Sequence, residues 1–229
     1  MSEDHEGCLP LAGLAARIAE LEDRLQVLSG GRTALLPVTK GFGPDVPQAV
    51  LDVGRNEVGE NYAQELLAKH HALTNAEPPD EAVLQILWHM IGGVQSNKVR
   101  HLAGVVSLWQ TVDRIGLVDE LIRRAPGARI LVQVDPVGTP GKGGCPPSDV
   151  EGLVTRAVDG GLEVAGLMAV GVLGDDDATG AVFRTVGRLA DNLGLFERSM
   201  GMSDDLELAI EHGSTMVRVG RALFGERPR

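Results

Sequence analysis

Aromatic side chains are scarce in this chain: two Trp, one Tyr and four Phe make up 3% of 229 residues. Leu, Val, Ile and Ala must fill the core, which suits buried parallel strands under covering helices better than an aromatic-rich sandwich. Basic residues are also in deficit, with 21 Lys and Arg against 32 Asp and Glu, for a formal charge of −11. That balance argues against a nucleic-acid partner and against attachment to anionic lipid. The two cysteines, Cys8 and Cys145, form no CxxC pair and no metal-ligand spacing, so neither a disulfide framework nor a metal site is expected. The opening MSEDHEG is acidic where a secretory signal would be basic, and no apolar run approaches the roughly 18 residues of a membrane span. A cytoplasmic protein with no membrane contact is expected, its partners small molecules or proteins.

What is present is globular in composition, 43% apolar and 23% charged. Leu11, Leu14, Ala15, Ile18, Leu21, Leu25 and Leu28 recur at helical spacing and stop at Gly30-Gly31. The expected organisation is therefore a leader and amphipathic helix over 1–30, followed by one domain over 31–229. In that domain, short β-branched runs alternate with amphipathic stretches. The runs are Ala34–Thr39, Glu57–Gly59, Leu84–Ile91, Val105–Val112, Arg129–Val134, Leu162–Val170, Glu197–Met202 and Thr215–Val219. Eight strands alternating with eight helices imply an α/β fold, a single (β/α)8 TIM-type barrel with an extra N-terminal helix. The second run is short, and without it seven strands in an open sheet is the alternative. The Gly- and Pro-bearing loop 135–147 reads as the least ordered insertion, and Lys142 within it as a flexible loop charge.

In a parallel barrel the ligand sits at the carboxyl ends of the strands. Lys40 closes the first run. On strand position alone it is a solvated end residue, but at a barrel mouth, partly desolvated and near other cations, its amine could attack an aldehyde as the free base. The last two strand ends carry Ser199-Met-Gly-Met-Ser203 and Arg218-Val-Gly-Arg221, where glycines, a hydroxyl and free N–H groups at helix starts can hold an anion. Ser203 can equally be a helix cap. Together with Lys40, these turns describe a pocket for an aldehyde carrying a phosphate. His89 is either a hydrogen-bonded core residue or a group at the mouth. Asn61 makes either an Asx-turn or a ligand contact, Gln95-Ser-Asn-Lys98 caps the third helix, and Asp175–Asp177 start a helix.

Val38-Thr-Lys40, Val58-Gly-Glu-Asn61, Trp88-His-Met-Ile-Gly92 with Gln95–Lys98, Met200-Gly-Met-Ser203, and Gly213–Gly220 with Phe224-Gly225 resemble the YggS/PROSC family, the pyridoxal 5′-phosphate (PLP) homeostasis proteins. The resemblance runs from about Leu35 to Arg227 in order. It implies a barrel similar to the N-terminal domain of bacterial alanine racemase, with PLP as cofactor held on Lys40 as an internal aldimine. It places phosphate around Ser203 and Gly220, with Met202 and Arg221 also in the cofactor site, Arg218 near the ring nitrogen or the phosphate, and Asn61 and His89 in the pocket wall. Arg221 departs from the small hydroxyl residue usual in the family, and Gly93 from a larger one. The implied function is intracellular PLP homeostasis without robust turnover, by a monomer that exchanges cofactor with PLP-dependent apoenzymes. A low-activity amino-acid racemase and a Schiff-base aldolase are the alternatives.

Overall fold

A computed structural model of the protein describes residues 9–75, 81–139 and 141–227; the acidic leader and Cys8 lie outside them. The strands are β1 (Ala34–Pro37), β2 (Glu57–Glu60), β3 (Leu87–Met90), β4 (Val106–Val112), β5 (Arg129–Gln133), β6 (Glu163–Met168), β7 (Glu197–Ser199) and β8 (Met216–Val219). All pair in parallel, in the order β1-β8-β7-β6-β5-β4-β3-β2. The two end strands meet through a parallel bridge between Val38 and Gly59, with Thr39 N–H donating to Gly59 O at 3.0 Å. The sheet thus closes into the eight-stranded barrel, and the short second run completes it.

Alternation along the strands divides the core in two. One face turns inward, where Leu36, Leu108, Leu131, Met168 and Met216 fill the barrel. The other packs beneath the helices, with Val58, Trp88, Ile130, Val132, Leu167 and Val217 among the buried residues. Burying each such aliphatic side chain stabilises the fold by roughly 1.5–3 kcal/mol. The helices are α1 (Leu14–Ser29), α2 (Asp45–Asp52), α3 (Ala63–Thr74), α4 (Val99–Leu102), α5 (Ile115–Arg124), α6 (Val150–Asp159), α7 (Asp176–Leu193), α8 (Leu206–Glu211) and α9 (Arg221–Phe224). The extra helix α1 buries Leu14, Ile18 and Leu25 and lies beside β1, α8 and α9. Its Arg17 Nε donates to Leu223 O at 2.7 Å, so it braces the β8–α9 segment.

Several local expectations need correction. The third strand begins at Leu87, not Leu84, because Glu81–Gln85 wind into a 3-10 turn that leaves Leu84 exposed. The seventh ends at Ser199, and the next helix starts at Leu206 with Asp205 as its N-cap, so Ser203 is no helix cap; it sits in the preceding turn. Gln95 precedes a 3-10 turn without any side-chain cap. The loop after β5 is held by main-chain bonds, Asp135 N–H to Cys145 O and Cys145 N–H to Gln133 O, both 2.9 Å. Lys142 is no free loop charge either: its Nζ donates to Val170 O at 2.9 Å and Gly171 O at 2.7 Å, across to the end of β6. Asp175 does start α7, accepting from Ala178 N–H at 2.9 Å.

Two glycines shape the mouth. Gly41, directly after Lys40, has φ +81°, so the chain can turn back there at no steric cost. Gly92, after β3, lies so close to β2 that a Cβ would sit 2.0 Å from Asn61 O. Gly92→Ala should therefore push the ends of β2 and β3 apart and lower stability by about 1–3 kcal/mol. Urea unfolding of the variant reads this, and an unchanged midpoint would refute the close packing.

Candidate functional site

At the carboxyl ends of the strands lies a cavity of about 390 Å³ that brings together Lys40, Met202, Ser203, Arg218, Gly220 and Arg221. Ile91, Leu173 and Val38 supply apolar wall. Four cations (Lys40, Arg218, Arg221, Arg227) face two carboxylates (Asp204, Glu226), so the wall is positive in a chain whose net charge is −11. Such a pocket attracts anions. A neighbouring cavity of about 410 Å³ shares Leu173, Met202 and Asp204 and contains Lys142. A third, of about 350 Å³, opens at the opposite end between α1 and the starts of β1 and β2; no lysine lines it.

Lys40 is half-buried, and among the described residues its amine makes no hydrogen bond or ion pair. Burial is the main cause of its lowered pKa; Arg227 and Arg218 lower it further, against opposing fields from Glu60 and Glu65. A lysine of this kind spends more of its time as the uncharged nucleophile than a surface lysine does.

Arg218 is buried in the interior at the floor of the cavity. Its Nη1 donates to Ser199 O and Ser199 Oγ, each at 2.7 Å, and its Nη2 to Ala169 O at 2.8 Å. No carboxylate lies within ion-pair distance among the described residues, and burial pulls its pKa down to about 10, which leaves it charged at neutral pH. The guanidinium is thus a fixed cation held by main-chain oxygens.

Two turns supply donors. At Gly220, Arg221 and Ala222, the start of α9, and at Ser203 and Asp204, the N–H groups make no hydrogen bond among the described residues. The flanking acids are already engaged. Asp205 accepts from Met202 N–H at 2.6 Å, and Asp204 pairs with Arg221 at 3.1 Å, both exposed. Arg221 therefore leans across the mouth toward β7, with its side chain in water.

His89 and Asn61 lie outside this group. His89 is buried in the barrel interior, where Gln110 Nε2 donates to its Nδ1 at 3.0 Å and Ser199 Oγ donates to Gln110 Oε1 at 2.7 Å. A chain of polar groups therefore runs from His89 through Gln110 and Ser199 to Arg218. Burial first, and then the charge of Arg129, depress the pKa of His89 to about 4. Asn61, at the end of β2, forms no side-chain hydrogen bond among the described residues.

Three residues that the sequence did not single out surround Lys40. Lys69, on α3, is buried and donates to Thr39 O at 2.7 Å, Glu60 Oε1 at 2.6 Å and Glu65 Oε1 at 2.7 Å. Glu65 Oε1 also accepts from Gly41 N–H, and Thr39 Oγ1 donates to Glu60 Oε1. Glu65 and Lys69 are four apart on a helix, a spacing common to surface pairs. The one distinguishing signal is a charged residue, Glu60, directly after the second apolar run. Cys145 is buried, its thiol pushed up to about 12, and is no nucleophile. Among the described residues no three His, Cys, Asp or Glu cluster to hold a metal, and no helix is long and apolar enough to cross a membrane.

The alanine racemase N-terminal domain model matches residues 11–228. The pyridoxal phosphate homeostasis protein of Aquifex aeolicus is 37% identical over 205 residues, covering 84% of this chain and 86% of that one. That of Pseudomonas aeruginosa is 36% identical over 229 residues, covering 95% and 94%. The structure of PipY from Synechococcus elongatus with PLP bound has a TM-score of 0.78 and 29% identity, covering 93% of this chain and all of that one.

The neutrality of His89 has a pH signature. Between its unfolded value of 6.5 and about 4 in the fold, the unfolded chain binds a proton that the folded one does not. Stability should therefore fall as pH drops through that window, by on the order of 3 kcal/mol in total. His89→Gln should flatten that part of the urea-midpoint profile, and an identical profile would place the proton elsewhere.

Proposed function

The chain belongs to the alanine racemase N-terminal domain family, and from that premise we propose that it is a PLP-binding protein of intracellular cofactor homeostasis, holding the cofactor on Lys40 without robust turnover. The observation that carries this reading is the Lys40 amine: desolvated, unpaired among the described residues, and on the wall of a positive cavity.

The donor set fits the group. When bound, PLP supplies an aldehyde carbon open to attack by a lysine amine and a ring able to accept electrons from an amino-acid α-carbon. Lys40 is the residue to hold the aldehyde end. The free N–H groups of Ser203 and Gly220–Ala222, with the Ser203 hydroxyl, suit a phosphate, and Met202 contributes apolar wall. Arg221 adds charge at the rim and its main-chain N–H within. Arg218 keeps the floor positive and disfavours a proton on any nitrogen brought beside it. Asn61 and His89 act from outside the first ring of contacts, His89 by bracing Gln110 and Ser199.

The same residues argue against racemisation, which needs a base on each face of the substrate. The sole tyrosine, Tyr62, is exposed at the start of α3 and does not line the cavity. His89, the imidazole of the polar row, is neutral but closed off in the interior and does not line the cavity.

Four lysines make mapping simple. Borohydride reduction of the protein with PLP should leave the pyridoxyl label on the Lys40 peptide, and Lys40→Ala should abolish the visible absorption band. A label on Lys98 or Lys142 would overturn the assignment. In deuterated water the loaded protein should leave the α-proton of alanine in place; exchange at a catalytic rate would establish the racemase instead, and a colourless protein that cleaves a phosphorylated sugar would establish an aldolase.

A further inference from the structure

The lysine that holds no ligand is as informative as the one on the cavity wall. All three donors of Lys69 are used, and two of their partners bear on residue 40. Thr39 O belongs to the peptide bond that begins Lys40. Glu65 Oε1, shared by Lys69, accepts the N–H of Gly41 just after it. The main chain on both sides of Lys40 is therefore gripped by one ion pair on α3, and Gly41 at positive φ lets the chain bend into that grip.

The third partner, Glu60, sets the electrostatics. It is fully buried at the end of β2, and its Oε1 accepts from both Lys69 and Thr39 Oγ1. Its Oε2 has no partner among the described residues, and burial raises its pKa. Glu60 and Glu65 are also the two carboxylates whose fields favour charge on Lys40. A buried carboxylate without a counter-ion is costly and takes the nearest available cation. With Lys69 absent, that cation is Lys40.

We propose that Lys69 is the positioning residue for Lys40: by occupying Glu60 and Glu65 and gripping the peptide at Thr39 and Gly41, it keeps the Lys40 amine unpaired and directed to the cavity. The inference rests on Lys40 being the reacting amine, but its test needs no PLP, so its failure and that of the borohydride mapping are told apart.

The charged groups facing Lys40 are Glu60 from β2, Glu65 from α3, Arg218 from β8 and Arg227 beyond α9. Acetylation of the ligand-free protein across a pH series, read by peptide mass spectrometry, gives the titration midpoint of Lys40 with Lys98 as internal reference. In Lys69→Met the Lys40 midpoint should rise by about one pH unit or more, as the amine pairs with the freed carboxylates, while that of Lys98 stays in place. Adding Glu60→Gln to that variant should bring the midpoint back down. A folded Lys69→Met with an unmoved midpoint, or a double variant as high as the single, would overturn the proposal. Should Lys69→Met not fold, Glu65→Ala decides: Gly41 amide exchange should quicken by about tenfold or more while that of Val217 is unchanged, and equal Gly41 exchange would count against the grip.

Discussion

A lysine that is to react with an aldehyde must be denied two comforts, water and a counter-ion. In this barrel the first is removed by partial burial at the mouth and the second by competition, since the acids within reach of Lys40 are already bonded to Lys69. The remaining features follow from that arrangement. β1 and β2 must run parallel and adjacent for Thr39 and Glu60 to meet, which is the bridge that closes the barrel. α3 must lie over that junction to deliver Lys69, and Gly92 must leave room for the end of β2.

Much of this was legible in the sequence, for physical reasons that differ by element. The alternation of apolar runs with amphipathic stretches reports burial directly, so the eight strands and the N-terminal helix could be read from periodicity. That Lys40, Ser203, Arg218, Gly220 and Arg221 meet at one cavity followed from the rule that ligands meet parallel strands at their carboxyl ends. The strand ends were harder. Leu84 belongs to an apolar run yet lies exposed in a 3-10 turn, because periodicity cannot distinguish a short strand from the turn that feeds it. Lys142 looked free because glycines surround it, whereas its bonds to Val170 and Gly171 join segments 28 and 29 residues apart. Lys69 was hidden for the same reason: its spacing to Glu65 is that of a surface pair, and only the packing of α3 on β1 and β2 buries it.

The interior of the barrel holds two kinds of side chain. Five aliphatic and thioether side chains form a buried cluster. Beside them His89, Gln110, Ser199 and Arg218 form a hydrogen-bonded row. The row satisfies the polar groups that an inward-facing strand position would otherwise strand away from water. It also fixes proton positions. Gln110 donates to His89 and accepts from Ser199, so the imidazole keeps its hydrogen off Nδ1, and a second proton there would set donor against donor.

Arg218 ends the row at the wall of the cavity. Because its bonds run to Ser199 and Ala169 rather than to a carboxylate, the guanidinium has no ion pair to break before it can face an anion. The floor is a standing electrode. An anion entering past Met202, Leu173 and the water-exposed Arg221 thus meets an undischarged positive field rather than a neutralised pair.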